Sequence, residues 1–342
     1  TQLTGEIGSR VAPCAARGGL LAVLRHGTPY ASCEASKMER PKIGLALGGG
    51  AARGWAHIGV LRSLITAGLE PDIVAGTSIG AVAGACYVTT KLDELEEFAT
   101  TLTRRRIFGF LDFNFGGSGL ITGQRLSGRL NDHLKEIAIE SLERRFVAVA
   151  TELGTGHEVW LKKGDLVTAL QASFALPGIF RPVQINGRWL IDGALVNPIP
   201  VSVCRALGAR IVIAVNLNSD LFGKGGVIHD QEAFAQPIGT EDQRLPGRNG
   251  RAAVHLLHRQ IFGRSNGAPG MSAVMIDAIN ITQDRIARSR LAGDPPDVTI
   301  SPKTGRIGLF DFHRAQEAIT LGAKAAESQL DEIRFAVRAF AA

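Results

Sequence analysis

The chain has 342 residues, enough for one large α/β domain or two small ones, and its 45% hydrophobic content supplies a substantial core. The formal charge of +6 is moderately basic; a solvated basic surface is the simpler account of it, with contact to an anionic surface such as phospholipid headgroups or nucleic acid the alternative. No apolar run reaches the roughly 18–20 residues of a membrane span, and Cys14, Cys33, Cys86 and Cys204 form neither a C-x-x-C pair nor a zinc-finger spacing, so a spanning helix and a cysteine metal centre are both excluded at this level.

Residues 1–40 lack sustained periodicity and read as a leader or poorly ordered arm. Arg10 and Arg17 ahead of "GGLLAVLRHG" leave a signal peptide as the alternative, but the expectation is a cytoplasmic protein, open to peripheral membrane contact and not secreted. From Lys42 the pattern sharpens. "KIGLALGG" reads as a buried strand. "GWAHIGVLRSLITAG" reads as a helix with Ile58, Leu61 and Ile65 on one stripe, ended by Gly68 and Pro71. "PDIVAG" is a second strand and "SIGAVAGACYVTT" a small-residue helix in close packing. Cys86 and Cys204 fall in apolar helical patterns and read as core thiols in a reducing compartment, with no structural disulfide. Further strands are expected in "RRFVAVATEL", "HEVWLKKG", "GRWLIDGAL" and "RIVIAVNLN", and helices in "LVTALQASFA" and "PVSVCRALGA". Residues from about 219 to 270 read as a mobile excursion. Residues 271–292 are helical, "PPDVTISP" is a last strand, and one amphipathic helix closes the chain over 311–340. Short apolar strands alternating with helices predict a central, mostly parallel sheet covered on both faces. The main domain spans 41–335, followed by a tail at 336–342.

Gly76-Thr77-Ser78-Ile79-Gly80 fits G-x-S-x-G between a predicted strand and a predicted helix. Such a turn strains the serine backbone and exposes its hydroxyl at a helix N-terminus; an ordinary serine in a tight turn is the alternative. An acyl-transfer nucleophile also needs donors for the developing oxyanion. The N–H groups of Gly48, Gly49, Gly50 and Ala51 are candidates, with Arg53 adding positive charge nearby. The spacing of Gly48, Gly50 and Gly54 is not the dinucleotide fingerprint, and no acidic residue ends the second strand. The partner base is open among His57, His313 and Asp192. Asp192 stands best placed, at the end of the apolar strand "RWLI" and before Gly193, although Asp-Gly is also a common turn. "RRRIFGFLDFNF" at 104–115 suits a lipid surface, single-stranded nucleic acid or, more simply, a solvated helix end with buried aromatics, and "AVHLLHRQIFGR" at 253–264 suits a lipid surface or ordinary burial; nothing else supports nucleic acid, and none is expected as a partner.

The stretches "GLALGGGAARGWAHIGVL", "GTSIGA", "ASFALPGIFRPV" and "LIDGALVNPIP", in this order, resemble the patatin-like phospholipase family, in its compact bacterial form, over roughly residues 41–218, with weaker support over 271–335. The resemblance implies a three-layer α/β/α sandwich and a serine acyl hydrolase acting on phospholipid, lysophospholipid or simple acyl esters. It implies a Ser–Asp dyad of Ser78 and Asp192, an oxyanion loop of Gly48, Gly49, Gly50, Ala51, Ala52, Arg53 and Gly54, and a nucleophile turn of Gly76, Thr77, Ile79 and Gly80. No metal or organic cofactor is implied. Phe174, Leu176, Ile179 and Phe180 either shape its pocket or pack in the core. A non-catalytic adaptor retaining the fold is the competing expectation.

Overall fold

The computed structural model describes residues 40–104, 106–107, 119–121, 124–220, 264–265, 268–269 and 271–341. The expected arm at 1–40, nearly all of the excursion, and most of the two basic-aromatic stretches lie outside these residues.

The strands in chain order are β1 (Ile43–Leu47), β2 (Ile73–Thr77), β3 (Gly119–Ile121), β4 (Arg145–Glu152), β5 (Glu158–Leu161), β6 (Gly178–Phe180), β7 (Val183–Ile185), β8 (Arg188–Asp192), β9 (Ile211–Val215), β10 (Arg264–Ser265), β11 (Ala268–Pro269) and β12 (Val298–Ile300). The helices are α1 (Ala56–Thr66), α2 (Ile79–Val88), α3 (Leu92–Thr100), α4 (Gln124–Leu134), α5 (Leu166–Ser173), α6 (Val201–Ala206), α7 (Met271–Gly293), α8 (Ala315–Glu327) and α9 (Leu330–Ala341).

The main sheet has eight strands in the order β12-β9-β1-β2-β4-β8-β7, with β5 on the other edge of β4. Strands β12, β9, β1, β2 and β4 are parallel, while β5 and β8 run antiparallel to β4 and β7 antiparallel to β8. Strands β1, β2 and β9 are buried along their whole length, as apolar runs covered on both faces must be. On one side Leu45, Leu47 and Val74 pack with α1, α2, α5 and α8. On the other Ala46, Ala75 and Val147 pack with Val203 and Cys204 of α6 and Ala287 of α7. These two apolar layers make the fold the expected α/β/α sandwich. Cys86 and Cys204 are both buried free thiols.

The long β4 brings two strand ends together. Thr77 of β2 lies opposite Val149, and Asp192 of β8 lies opposite the next residue, Ala150. Strand β5 occupies the other edge at both positions. Strands β2 and β8 therefore meet head-on along one edge of β4, and the residues at their C-terminal ends become neighbours.

Three expectations are corrected. The closing helix is two helices, α8 and α9, preceded by a 3-10 turn at Phe312–Arg314. The Ser328 hydroxyl donates to the Ala325 carbonyl at 2.8 Å, a local bond that competes with helix continuation. The supposed tail from 336 completes α9, with Ala336 and Val337 packed on the core. Ile65, in the last turn of α1, is 37% exposed, whereas Ile58 and Leu61 are fully buried. Among the described residues no helix is long and apolar enough to cross a membrane.

Candidate active site

The turn between β2 and α2 is built by steric exclusion. A Cβ on Gly76 would lie 2.4 Å from the Cα of Ala81, and one on Gly80 would lie 2.3 Å from the carbonyl of Leu47. With glycine at both places the strand reverses into the helix within one residue, and Ser78 takes φ 56°, ψ −127°. A non-glycine residue there stores roughly 1–3 kcal/mol of strain.

Ser78 is held from two directions. Its N–H donates to Ser173 Oγ at 3.0 Å, and Ser173 Oγ–H donates to the Val149 carbonyl at 2.6 Å. The Ser78 hydroxyl donates to Asp192 Oδ2 at 2.7 Å. Asp192 Oδ1 accepts the Ala194 N–H at 2.8 Å, and the Asp192 carbonyl accepts from Thr151 Oγ1 at 2.9 Å. Glycine is required directly after Asp192, because a Cβ on Gly193 would lie 2.2 Å from the Val149 carbonyl. Asp192 is almost completely buried. Burial pushes its carboxyl up to about 6, against the opposing pull of the Ala194 N–H and the Ser78 hydroxyl.

The glycine turn after β1 lies over this pair. A Cβ on Gly49 would lie 3.6 Å from Ser78 Cβ. The structure narrows the expected set of donors. Gly48 N–H is already bonded to the Val215 carbonyl at 3.2 Å, Gly49 N–H to Pro198 at 3.0 Å, Ala52 N–H to Leu309 at 3.1 Å and Arg53 N–H to Gly50 at 3.1 Å. Gly50 and Ala51 head the turn with N–H groups that find no acceptor among the described residues, and Ala51, at φ 47°, lines the same cavity as Ser78 and Asp192. Arg53 does not reach this space. Its guanidinium is buried on the Ile307 carbonyl at 3.0 Å and Asn218 Oδ1 at 3.1 Å, clamping the turn from behind. Gly54 serves close packing, since a Cβ would meet Ile79 at 2.2 Å.

Neither histidine stands with the serine. His57 is buried inside α1, its Nε2–H donating to the Gly48 carbonyl at 2.8 Å. Burial pushes it down to about 4, so it is neutral. His313 accepts the Arg104 Nε–H at 3.2 Å on the surface. Thr77 adds a brace, its hydroxyl donating to the Asn197 carbonyl at 2.9 Å. Ser173 and Thr151 were not marked by the sequence. Ser173 lies within "ASFALPGIFRPV", but only the register of α5 against β4 turns its hydroxyl toward the turn.

The site opens into a cavity of about 530 Å³. Phe174, Leu176, Ile179 and Phe180 all line it, so the "ASFALPGIF" stretch faces this space rather than the core alone. Charge gathers where Lys91, Glu94, Glu97, Arg106 and Arg129 line it. Among the described residues no group of three His, Cys, Asp or Glu side chains stands close enough to hold a metal ion.

The fold thus sets a strained strand-to-helix serine beside a buried carboxylate, under a glycine turn and at a largely apolar cavity. The family model for patatin-like phospholipases matches residues 45–205. Proteins of Mycobacterium tuberculosis and Mycobacterium bovis, each described as an uncharacterized NTE family protein, are 31% identical to the chain over 85% of its length and 92% of theirs. A patatin-like phospholipase domain-containing protein of Caenorhabditis elegans is 37% identical over 52% of the chain and 14% of its own length. Among solved structures, VipD from Legionella pneumophila aligns with a TM-score of 0.43 and 12% identity, covering 86% of this chain and 67% of that one. The chain belongs to the patatin-like phospholipase family, which places it among lipid acyl hydrolases.

Proposed function

We propose that this protein hydrolyses acyl esters of phospholipid, lysophospholipid or simpler lipid alcohols through a Ser78–Asp192 dyad. The observation that carries the reading is the 2.7 Å hydrogen bond from the Ser78 hydroxyl to a carboxylate buried within the fold. Ser78 Oγ attacks the ester carbonyl carbon as its proton passes to Asp192 Oδ2. The carbonyl oxygen becomes an oxyanion and accepts from the Gly50 and Ala51 N–H groups; losing one such donor typically costs ~3–4 kcal/mol of transition-state stabilisation. The intermediate collapses, the carbon–oxygen bond to the leaving alcohol breaks, and Asp192 returns the proton to that alcohol. Water then attacks the acyl-serine ester, with Asp192 again taking the proton. The fatty acid departs and Ser78 recovers its hydrogen.

The test is labelling by a fluorophosphonate together with turnover of a lipid panel. Wild type is expected to be labelled on Ser78 and to release fatty acid. Ser78→Ala is expected to lose labelling and to drop kcat by roughly ten-thousand-fold or more. Labelling that survives in Ser78→Ala defeats the assignment. Loss of turnover in His57→Ala or His313→Ala, with Asp192→Asn still active, would replace the dyad by a triad.

A further inference from the structure

One wall of the cavity is a single face of α2. Ser78 stands at the head of that helix, and Val82 and Cys86 follow at intervals of four, so the three lie in a row on the cavity side. The opposite face is held against the sheet: a Cβ on Gly80 would lie 2.3 Å from the Leu47 carbonyl, and one on Gly84 2.8 Å from Val74 Cγ1. The helix therefore cannot shift toward the sheet to enlarge the cavity. Leu95 of α3 and Leu134 of α4 contribute to the same lining.

Beyond Cys86 the chemistry changes. The Lys91 N–H donates to the Cys86 carbonyl at 2.6 Å. Lys91 Nζ pairs with Glu94 Oε1 at 2.8 Å, and both residues line the cavity. The apolar row ends one turn later at an ion pair. The Cys86 thiol is itself inert, because burial pushes it up to about 12 and leaves it a small neutral wall residue.

We infer, on the hydrolase reading above, that the substrate's acyl chain lies along the Ser78–Val82–Cys86 face and that Cys86, backed by the Lys91–Glu94 pair, sets the longest chain accepted. Eight residues of helix span roughly 12 Å at ~1.5 Å each. An extended alkyl chain advances about 1.3 Å per carbon, given a carbon–carbon bond of ~1.5 Å. The row accommodates acyl groups of about eight to ten carbons. A longer chain must drive its methyl end against the ion pair and strip water from it, which is unfavourable.

The experiment measures kcat/KM on p-nitrophenyl esters running from acetate to palmitate. Wild type is expected to peak at octanoate or decanoate. Cys86→Phe shortens the row and is expected to lower the decanoate-to-butyrate ratio about tenfold. Lys91→Met combined with Glu94→Gln removes the ion pair behind Cys86 without touching the core, and is expected to raise the laurate-to-octanoate ratio; it decides the matter if Cys86→Phe does not fold. A profile indifferent to chain length, or ratios that stay at the wild-type value in the folded variants, overturns the inference while leaving the hydrolase reading intact. Absence of Ser78-dependent turnover at every chain length instead defeats the hydrolase reading itself.

Discussion

Asp192 holds its carboxyl almost wholly out of solvent at the floor of the cavity, and that placement has a measurable cost. The group is raised from 3.8 to about 6 by burial, with the Ala194 N–H and the Ser78 hydroxyl pulling it back. Below 3.8 it is protonated in folded and unfolded chains alike. As pH rises from there through about 6 the unfolded chain ionises first, so the folded state loses stability. The loss is on the order of 3 kcal/mol at neutral pH, from roughly 1.4 kcal/mol per pKa unit. Asn at this position keeps an acceptor for the Ala194 N–H, turns its Nδ2–H toward the Ser78 oxygen as a donor, and carries no charge to bury. Asp192→Asn is therefore expected to raise the melting temperature at neutral pH, with the gain vanishing below about pH 4, while ester turnover is lost. In the wild type the same titration should govern the acid limb of kcat/KM, activity rising as Asp192 ionises through about 6. Melting curves and pH–rate profiles check both; a variant no more stable than wild type at neutral pH contradicts the burial argument.

At the scale of elements, the end of α5 fixes the serine turn to β4. Ser173 accepts from the Ser78 N–H and donates to the Val149 carbonyl. Ser173→Ala leaves a buried donor and a buried acceptor unpaired, at about 1–3 kcal/mol each where no water enters. The strained turn then relaxes, so kcat is expected to fall with little change in KM, alongside a lower melting temperature. A normal kcat in a destabilised variant would reduce Ser173 to a purely structural bond. This brace was hidden in the sequence, whereas the turn it holds was legible. Gly76 and Gly80 announce the turn because side chains are sterically forbidden there, and "RWLID" is followed by Gly193 for the same local reason. The apolar runs of β1, β2, β4 and β9 were equally plain. Local pattern did not reveal that β8 would run against β4 and meet β2 end to end. Nor did it reveal which amides of the glycine turn stay open, since Pro198, Val215 and Leu309 consume the others from distant parts of the chain. The three-residue strands β3, β6 and β7 are too short for a period, and the break between α8 and α9 contains neither proline nor glycine.

Across the whole molecule, the C-terminal part of the chain braces the first glycine turn. Ala52 N–H donates to the Leu309 carbonyl, Arg53 Nε–H to Ile307 and Trp55 Nε1–H to Phe312. The family match at 45–205 contains Ser78 and Asp192 but none of these acceptors. Helix α8 completes the brace by direct backbone contact with α1. A Cβ on Gly322 would lie 1.9 Å from the Ala56 carbonyl, and one on Gly59 would lie 2.0 Å from the Ile319 carbonyl. Gly322→Ala must therefore push α1 away by about an ångström or more, since backbone atoms on both sides cannot yield as a flexible side chain would. Helix α1 continues directly from the 3-10 segment Ala51–Trp55, so the displacement passes to the Gly50 and Ala51 amides. A misplacement of about 1 Å at reacting groups can cost roughly a hundredfold in rate. Gly322→Ala is expected to lose more than about 2 kcal/mol of stability and, in the fraction that stays folded, to lower kcat on short esters. Phe335→Ser, at a side chain 75% exposed on α9, is the control expected to change neither. Wild-type melting and wild-type kcat in Gly322→Ala would mean that the two helices can separate without moving the turn, and that the Ala52, Arg53 and Trp55 bonds hold the site without α8.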